Sequence, residues 1–138
     1  MDEPEEAQEV ITGEGYALAN IDALGHGGGF RKIRPALDVK ALGINAIVMP
    51  EEFAGRRHYH YEQEETYFIH QGHAELEFGD GSVHRLGPGG VVRMDAATVR
   101  RIRNVGEGDL VGAVLNGRSV ASRLSGRRLR ASVGGLLG

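Results

Sequence analysis

The sequence has 138 residues, 41% of them hydrophobic and 25% charged, which is enough for one core with two short tails and leaves no room for a second catalytic domain. Cysteine is absent, which excludes disulfides, thiolate zinc sites, iron–sulfur clusters and thiol nucleophiles, so any metal has to be held by His and carboxylate. A net charge of −3 argues against a general nucleic-acid binder, and the longest aliphatic stretch, Ala46 to Met49, falls far short of the ~20 residues of a membrane span.

In chain order, the first segment (1–23) opens on Asp2, Glu3, Glu5, Glu6 and Glu9 with no Lys or Arg up to Glu9. That is the opposite of a basic signal-peptide start, so the expectation is a cytoplasmic protein with a partly flexible acidic lead. Leu24 to Gly29 reads as a flexible connection. Its His26-Gly27-Gly28-Gly29 has the composition of an esterase oxyanion loop, but no Gly-x-Ser-x-Gly elbow accompanies it, and it is read as a loop. Ile33 to Val39 is read as an edge strand interrupted by Pro35.

Short apolar runs punctuated by glycine then predict strands at Ile44–Met49, His58–Tyr61, Thr66–His70, Ala74–Phe78, Val83–Leu86, Val91–Met94, Val99–Asn104 and Leu110–Leu115. In Ala74-Glu75-Leu76-Glu77-Phe78 the alternation puts Ala74, Leu76 and Phe78 on one face, as a half-buried antiparallel strand requires. The body, 24–117, is therefore all-β, a sandwich or small barrel. The end, 118–138, carries Arg118, Arg123, Arg127, Arg128 and Arg130 and no acid. It is read as a solvated tail, either a weak amphipathic helix or a frayed one, and nucleic acid is not an expected partner.

The chemistry concentrates between Gly55 and Gly72. Histidines at i and i+2 on a strand project to the same face, so His58 and His60 can offer imidazole nitrogens to one point, and a carboxylate from the next strand would complete a facial set. Alone, such a pair is more often one packed and one solvated histidine. Here His58-x-His60-x4-Glu65-x6-Gly72 resembles the first signature of the cupin superfamily, with Gly55 closer to the first His than the family's glycine usually lies.

The resemblance implies a jelly-roll β-barrel, commonly dimeric, with functions from dioxygenases and isomerases to non-catalytic binding of small molecules. It implies metal ligands at His58, His60 and Glu65, for iron, manganese, nickel or zinc. The family's second signature, counted back from Asn104, gives Gly89, Asp95 in place of Pro, Ala97 in place of Gly, and Arg100 in place of the fourth ligand, His. Guanidinium has no lone pair for a metal and stays charged, so metal affinity is expected to fall, and the site can be metal-free. Arg100 shares its strand face with Ile102, which places it inside the barrel, either forked onto Glu65 or presented to an anionic ligand. Tyr67, in phase with Glu65, is a candidate to line the same cavity, whereas His70, His73 and His84 are read as surface or packing residues. The function expected is binding of a small anionic organic ligand, with a metal-dependent dioxygenase or isomerase as the alternative and a homodimer as the assembly.

Overall fold

The computed structural model describes residues 3–118, to which all structural statements refer. A short hairpin, β1 (Ile11–Gly13) against β2 (Tyr16–Leu18), comes first. A 3-10 turn at Ile21–Leu24, strand β3 (Gly29–Arg31) and a short helix α1 (Ile33–Leu37) follow. The body consists of β4 (Gly43–Met49), β5 (Gln63–Gln71), β6 (Ala74–Phe78), β7 (Val83–Leu86), β8 (Val91–Met94), β9 (Arg100–Asn104) and β10 (Leu110–Arg118).

These strands form two antiparallel sheets, ordered β3-β4-β10-β5-β8 and β7-β6-β9. The pairs β4–β10, β5–β8 and β6–β7 nest one inside the next, and β9 is bridged by the segment before β5 at Ala54 and His58, which is the nested pairing of a jelly roll. Period-two burial decides which side chains face inward. The larger sheet contributes Met49, Tyr67, Ile69, Met94, Leu110 and Val114, and the smaller contributes Ala74, Leu76 and Ile102. Each large aliphatic buried there stabilises the sandwich by roughly 1.5–3 kcal/mol relative to exposure. No helix among the described residues is long and apolar enough to cross a membrane.

Seven of the eight expected strands are present, and the eighth differs. Residues 58–61 lie outside the strands proper and touch the sheet only through an isolated bridge, His58 to Arg100. The proposed edge strand over Ile33–Val39 is instead α1, closed by Asp38 in the left-handed conformation at φ 56° with Val39 N–H donating to Arg34 O at 3.0 Å. Pro35 is compatible with this because the first turn of a helix has no intrahelical use for its missing N–H. The expected C-terminal helix falls, beyond Arg118, outside the described residues.

Gly72 lets β5 turn directly into β6. Its φ is +89°, and a Cβ there would lie 2.8 Å from Asp109 O and 2.9 Å from Leu110 Cα. Only glycine takes that conformation with β10 so close.

Candidate metal and ligand site

Three stretches of chain converge at one end of the sandwich. Strand β5 points Glu65, Tyr67 and Ile69 inward, and β9 points Arg100, Ile102 and Asn104 inward. The irregular segment 54–60 lies along β9, held by Gly55 N–H to Ile102 O at 2.9 Å, reciprocal 3.0 Å bonds between His58 and Arg100, and His60 N–H to Ala96 O at 2.8 Å. These bonds preserve the alternation even without a regular strand. His58 and His60 are buried, while Tyr59 and Tyr61 are exposed and stack edge-on with ring centres 5.6 Å apart.

The two imidazoles sit 5.5 Å apart at 88°. His58 Nδ1 lies 3.0 Å from Arg56 O, a carbonyl that only accepts, so Nδ1 carries a ring proton and Nε2 is the nitrogen that can offer a lone pair to a metal. That Nε2 is buried and finds no hydrogen-bond partner. His60 Nε2 lies 3.2 Å from Glu65 Oε2 but out of line for a hydrogen bond, and both atoms are without one. Burial first, opposed by the Glu65 carboxylate and reinforced by the Arg100 cation, holds His60 below the ordinary histidine pKa, so its ring is neutral at neutral pH. One donor atom from each of His58, His60 and Glu65 lies within 4.8 Å of the others.

Arg100 and Glu65 are both fully buried. Arg100 reaches Glu65 Oε1 through one terminal nitrogen at 2.7 Å, a single contact and not a two-toothed fork. Its other terminal nitrogen points at three carbonyls, Thr98 O at 2.6 Å and Asp95 O and Ala96 O at 3.3 Å. Only Nε is buried without a partner. The guanidinium is thus fixed from two sides: a carboxylate neutralises its charge and a turn accepts its protons.

Tyr67 donates to the same Glu65 Oε1 at 3.2 Å. Burial first, and the neighbouring carboxylate second, push its phenol far above the ordinary value, so it stays protonated. Glu65 therefore has one oxygen occupied by Arg100 and Tyr67, while Oε2 faces the histidines with no hydrogen bond. Two imidazoles and one carboxylate oxygen, all buried, lie together with His58 Nε2, His60 Nε2 and Glu65 Oε2 free of hydrogen bonds. This donor set fits a divalent transition metal. A cleft of about 300 Å³, lined by Phe30, Met49, Phe53, Arg56, His58 and Ile102, borders the site at His58.

His70, His73 and His84 are exposed and join no such group. Two features were not foreseen in the sequence. The carbonyls that hold Arg100 belong to the loop Asp95–Thr98, and main-chain acceptors leave no mark on side-chain spacing. Asn104 is a structural hub: its amide nitrogen is directed at Met49 O, Pro50 O and Gly108 O at 2.9–3.1 Å, and its oxygen accepts from Gly106 N–H at 3.0 Å. Its place at the end of the second signature pointed to the position but not to this role.

The geometry can be set beside known proteins. Residues 45–116, just over half the chain, match the family model described as Cupin domain. The cupin domain of Cnp3 from Schizosaccharomyces pombe superposes with a TM-score of 0.55 at 14% identity over 60% of each chain. A sugar phosphate isomerase from a cupin superfamily, from Silicibacter pomeroyi, gives 0.59 at 19% identity over 77% of this chain and 61% of that one. The DMSP lyase DddQ from Ruegeria pomeroyi gives 0.52 at 28% identity over 59% of this chain and 40% of that one. The chain thus spans about two fifths to three fifths of these proteins' own lengths, and the first two likenesses concern the fold alone. No curated protein matches the sequence.

Proposed function

This chain belongs to the cupin domain family, and from that premise we propose that it binds a small anionic organic molecule at a divalent-metal centre held by His58, His60 and Glu65. Arg100 and Tyr67 complete the ligand site. The observation that carries the reading is the set of buried polar atoms without partners, His58 Nε2, the two ring nitrogens of His60, one of them a lone-pair donor, and Glu65 Oε2. Leaving such atoms unsatisfied costs about 1–3 kcal/mol each, and a cation among them removes that cost. Iron, manganese, nickel and zinc all suit the donors.

Charge supports the anionic ligand. Glu65 and Arg100 cancel, His60 is held neutral, and a divalent ion would leave its whole charge uncompensated in a buried site. When bound, the metal supplies Lewis-acid binding of an anionic oxygen. Arg100 Nε is a further donor toward the ligand, and Tyr67 keeps Glu65 oriented. Arg100 also repels the metal, so affinity is lower than four neutral or anionic ligands would give, and the protein can be isolated partly or wholly metal-free.

The test is elemental analysis of untagged protein, followed by calorimetric titration of metal-free protein with manganese or iron(II) and then with simple dicarboxylates. We expect one saturable metal site and dicarboxylate binding that strengthens when it is filled. Absence of metal binding in wild type together with loss of nothing in His60→Ala would overturn the assignment.

A second reading, a metal-dependent enzyme of the dioxygenase or isomerase type, is favoured by the open positions that three ligands leave and by neighbours that include a lyase 28% identical to this chain. Oxygen consumption or substrate isomerisation by metal-loaded protein, abolished in His60→Ala, would establish it. Assembly as a homodimer through sheet edges accompanies either reading.

A further inference from the structure

The glycine-rich run before β3 has no role in the centre described above, yet it encloses a second cation. Arg31 on β3 is only 5% exposed. Its guanidinium donates to Gly27 O at 2.7 Å and to Gly29 O at 3.5 Å, and Gly25 packs so closely that a Cβ there would lie 3.0 Å from Arg31 Cδ. Gly27 has φ +66°, a conformation that suits glycine and turns its carbonyl toward the arginine.

Two carbonyls do not neutralise a guanidinium. Arg31 Nε is buried with no acceptor, and none of the ion pairs among the described residues includes Arg31. A buried cation without a counter-charge is costly to maintain unless something supplies the anion. Arg31 lines a cavity of about 410 Å³, which shares no residue with the cleft that leads to His58. Around the same cavity stand the exposed carboxylates of Asp22 and Asp109, which also make no ion pair among the described residues, together with the polar side chains of Asn20, His70 and Gln71.

We propose that this cavity binds a small zwitterion, a carboxylate carrying a cationic nitrogen, of the class of free α-amino acids and betaines. The carboxylate pairs with Arg31, which has N–H groups to offer and no anion to receive them. The cationic end lies toward Asp22 and Asp109. Those two carboxylates repel dianions such as succinate or phosphate, so the cavity distinguishes a zwitterion from a simple anion by charge pattern.

The full chain, kept in chelator so that the histidine centre contributes nothing, is titrated by calorimetry and by thermal shift with glycine, glycine betaine, acetate, succinate and tetramethylammonium. The expected result is saturable binding of glycine or betaine, at least about tenfold weaker binding of acetate and of tetramethylammonium, and none of succinate. Arg31→Gln abolishes binding. Because Arg31 also ties down the glycine loop and that variant can lose its fold, Asp22→Asn/Asp109→Asn at the exposed rim carries the test independently: it removes the preference for zwitterion over acetate with the circular dichroism and melting temperature unchanged. His60→Ala leaves zwitterion binding intact, which separates this site from the metal centre. No saturable binding by any probe, or binding that neither change affects, overturns the proposal. So does a dimer that Arg31→Gln dissociates, since the missing carboxylate would then come from a second copy of the chain.

Discussion

Arg100 is the residue on which the character of the metal and ligand site turns. A histidine there would add a neutral nitrogen, whereas the arginine adds a permanent cation that Glu65 must balance. Removing one partner of a buried pair strands the other, at a cost on the order of 3–5 kcal/mol. Arg100→Ala and Glu65→Gln are therefore both expected to lower the metal-free melting temperature by roughly 10–25 °C. Glu65→Leu/Arg100→Met, which removes both charges at similar volume, is expected to cost less than either single change. Thermal denaturation in chelator checks this, and additive losses in the double variant would show that the pair is not coupled. Arg100→His is expected to raise manganese or iron(II) affinity above wild type, and Arg100→Ala to raise it less, because the first adds a ligand and the second only relieves repulsion. Both should weaken dicarboxylate binding. Unchanged metal affinity in Arg100→His, read by calorimetry, would show that position 100 does not act as the fourth ligand position.

At the scale of elements, the strands that alternate apolar and polar residues were legible because burial enforces the same period that the sequence displays. In β9, the parity that ties Arg100 to buried Ile102 was enough to place the arginine inside, and Asn104 follows in the same row. Elsewhere the local signal misled. Ile33–Val39, with β-branched Ile33 and Val39 and with Pro35, suggests an edge strand, but the chain leaves β3 and makes one turn of helix over Ile33–Leu37 before it enters β4. His58–Tyr61 alternates like a strand yet is held by β9 at only one bridged pair, and the loop carbonyl of Ala96 takes the next bond. The β1–β2 hairpin and β3 are each three residues long per strand, too short for a period to register. Arg31 carried no signal beyond the glycines before it, because a buried, unpaired cation is a property of the packed structure. Gly72 offers a direct test of an element junction: Gly72→Ala is expected to destabilise by about 1–3 kcal/mol, through positive φ and contact with the β10 backbone. Urea denaturation would measure it, and a neutral substitution would mean that the β5–β6 turn can shift away from Asp109.

For the whole molecule, the question is what becomes of the free strand edges. The five-stranded sheet ends at β3 on one side and β8 on the other, and the three-stranded sheet ends at β7 on one side. Edge strands expose unpaired main-chain groups and invite a second chain. The β3 edge is short and runs into α1, which packs near β4, so it offers little length for pairing. The β8 edge is different: Val91 is 61% exposed there, Phe68 beside it on β5 is 42% exposed, and the two are directly paired across the strands. Arg93 on the same face pairs with Glu64 and Asp95, which sets a charged border next to the apolar pair. An apolar patch with a polar rim at a sheet edge is the usual form of a two-fold contact, since each copy presents the same surface to the other. The expected outcome is a homodimer through the β8 edge at tens of micromolar, read by sedimentation equilibrium, with Val91→Lys shifting it to monomer because two lysines would face each other near the axis. The change sits on an exposed side chain, so the melting temperature of the monomer should stay within a few degrees of wild type. A wild type that sediments as a monomer at those concentrations, or a dimer indifferent to Val91→Lys, would move the contact away from β8 and leave that edge protected by its charges alone.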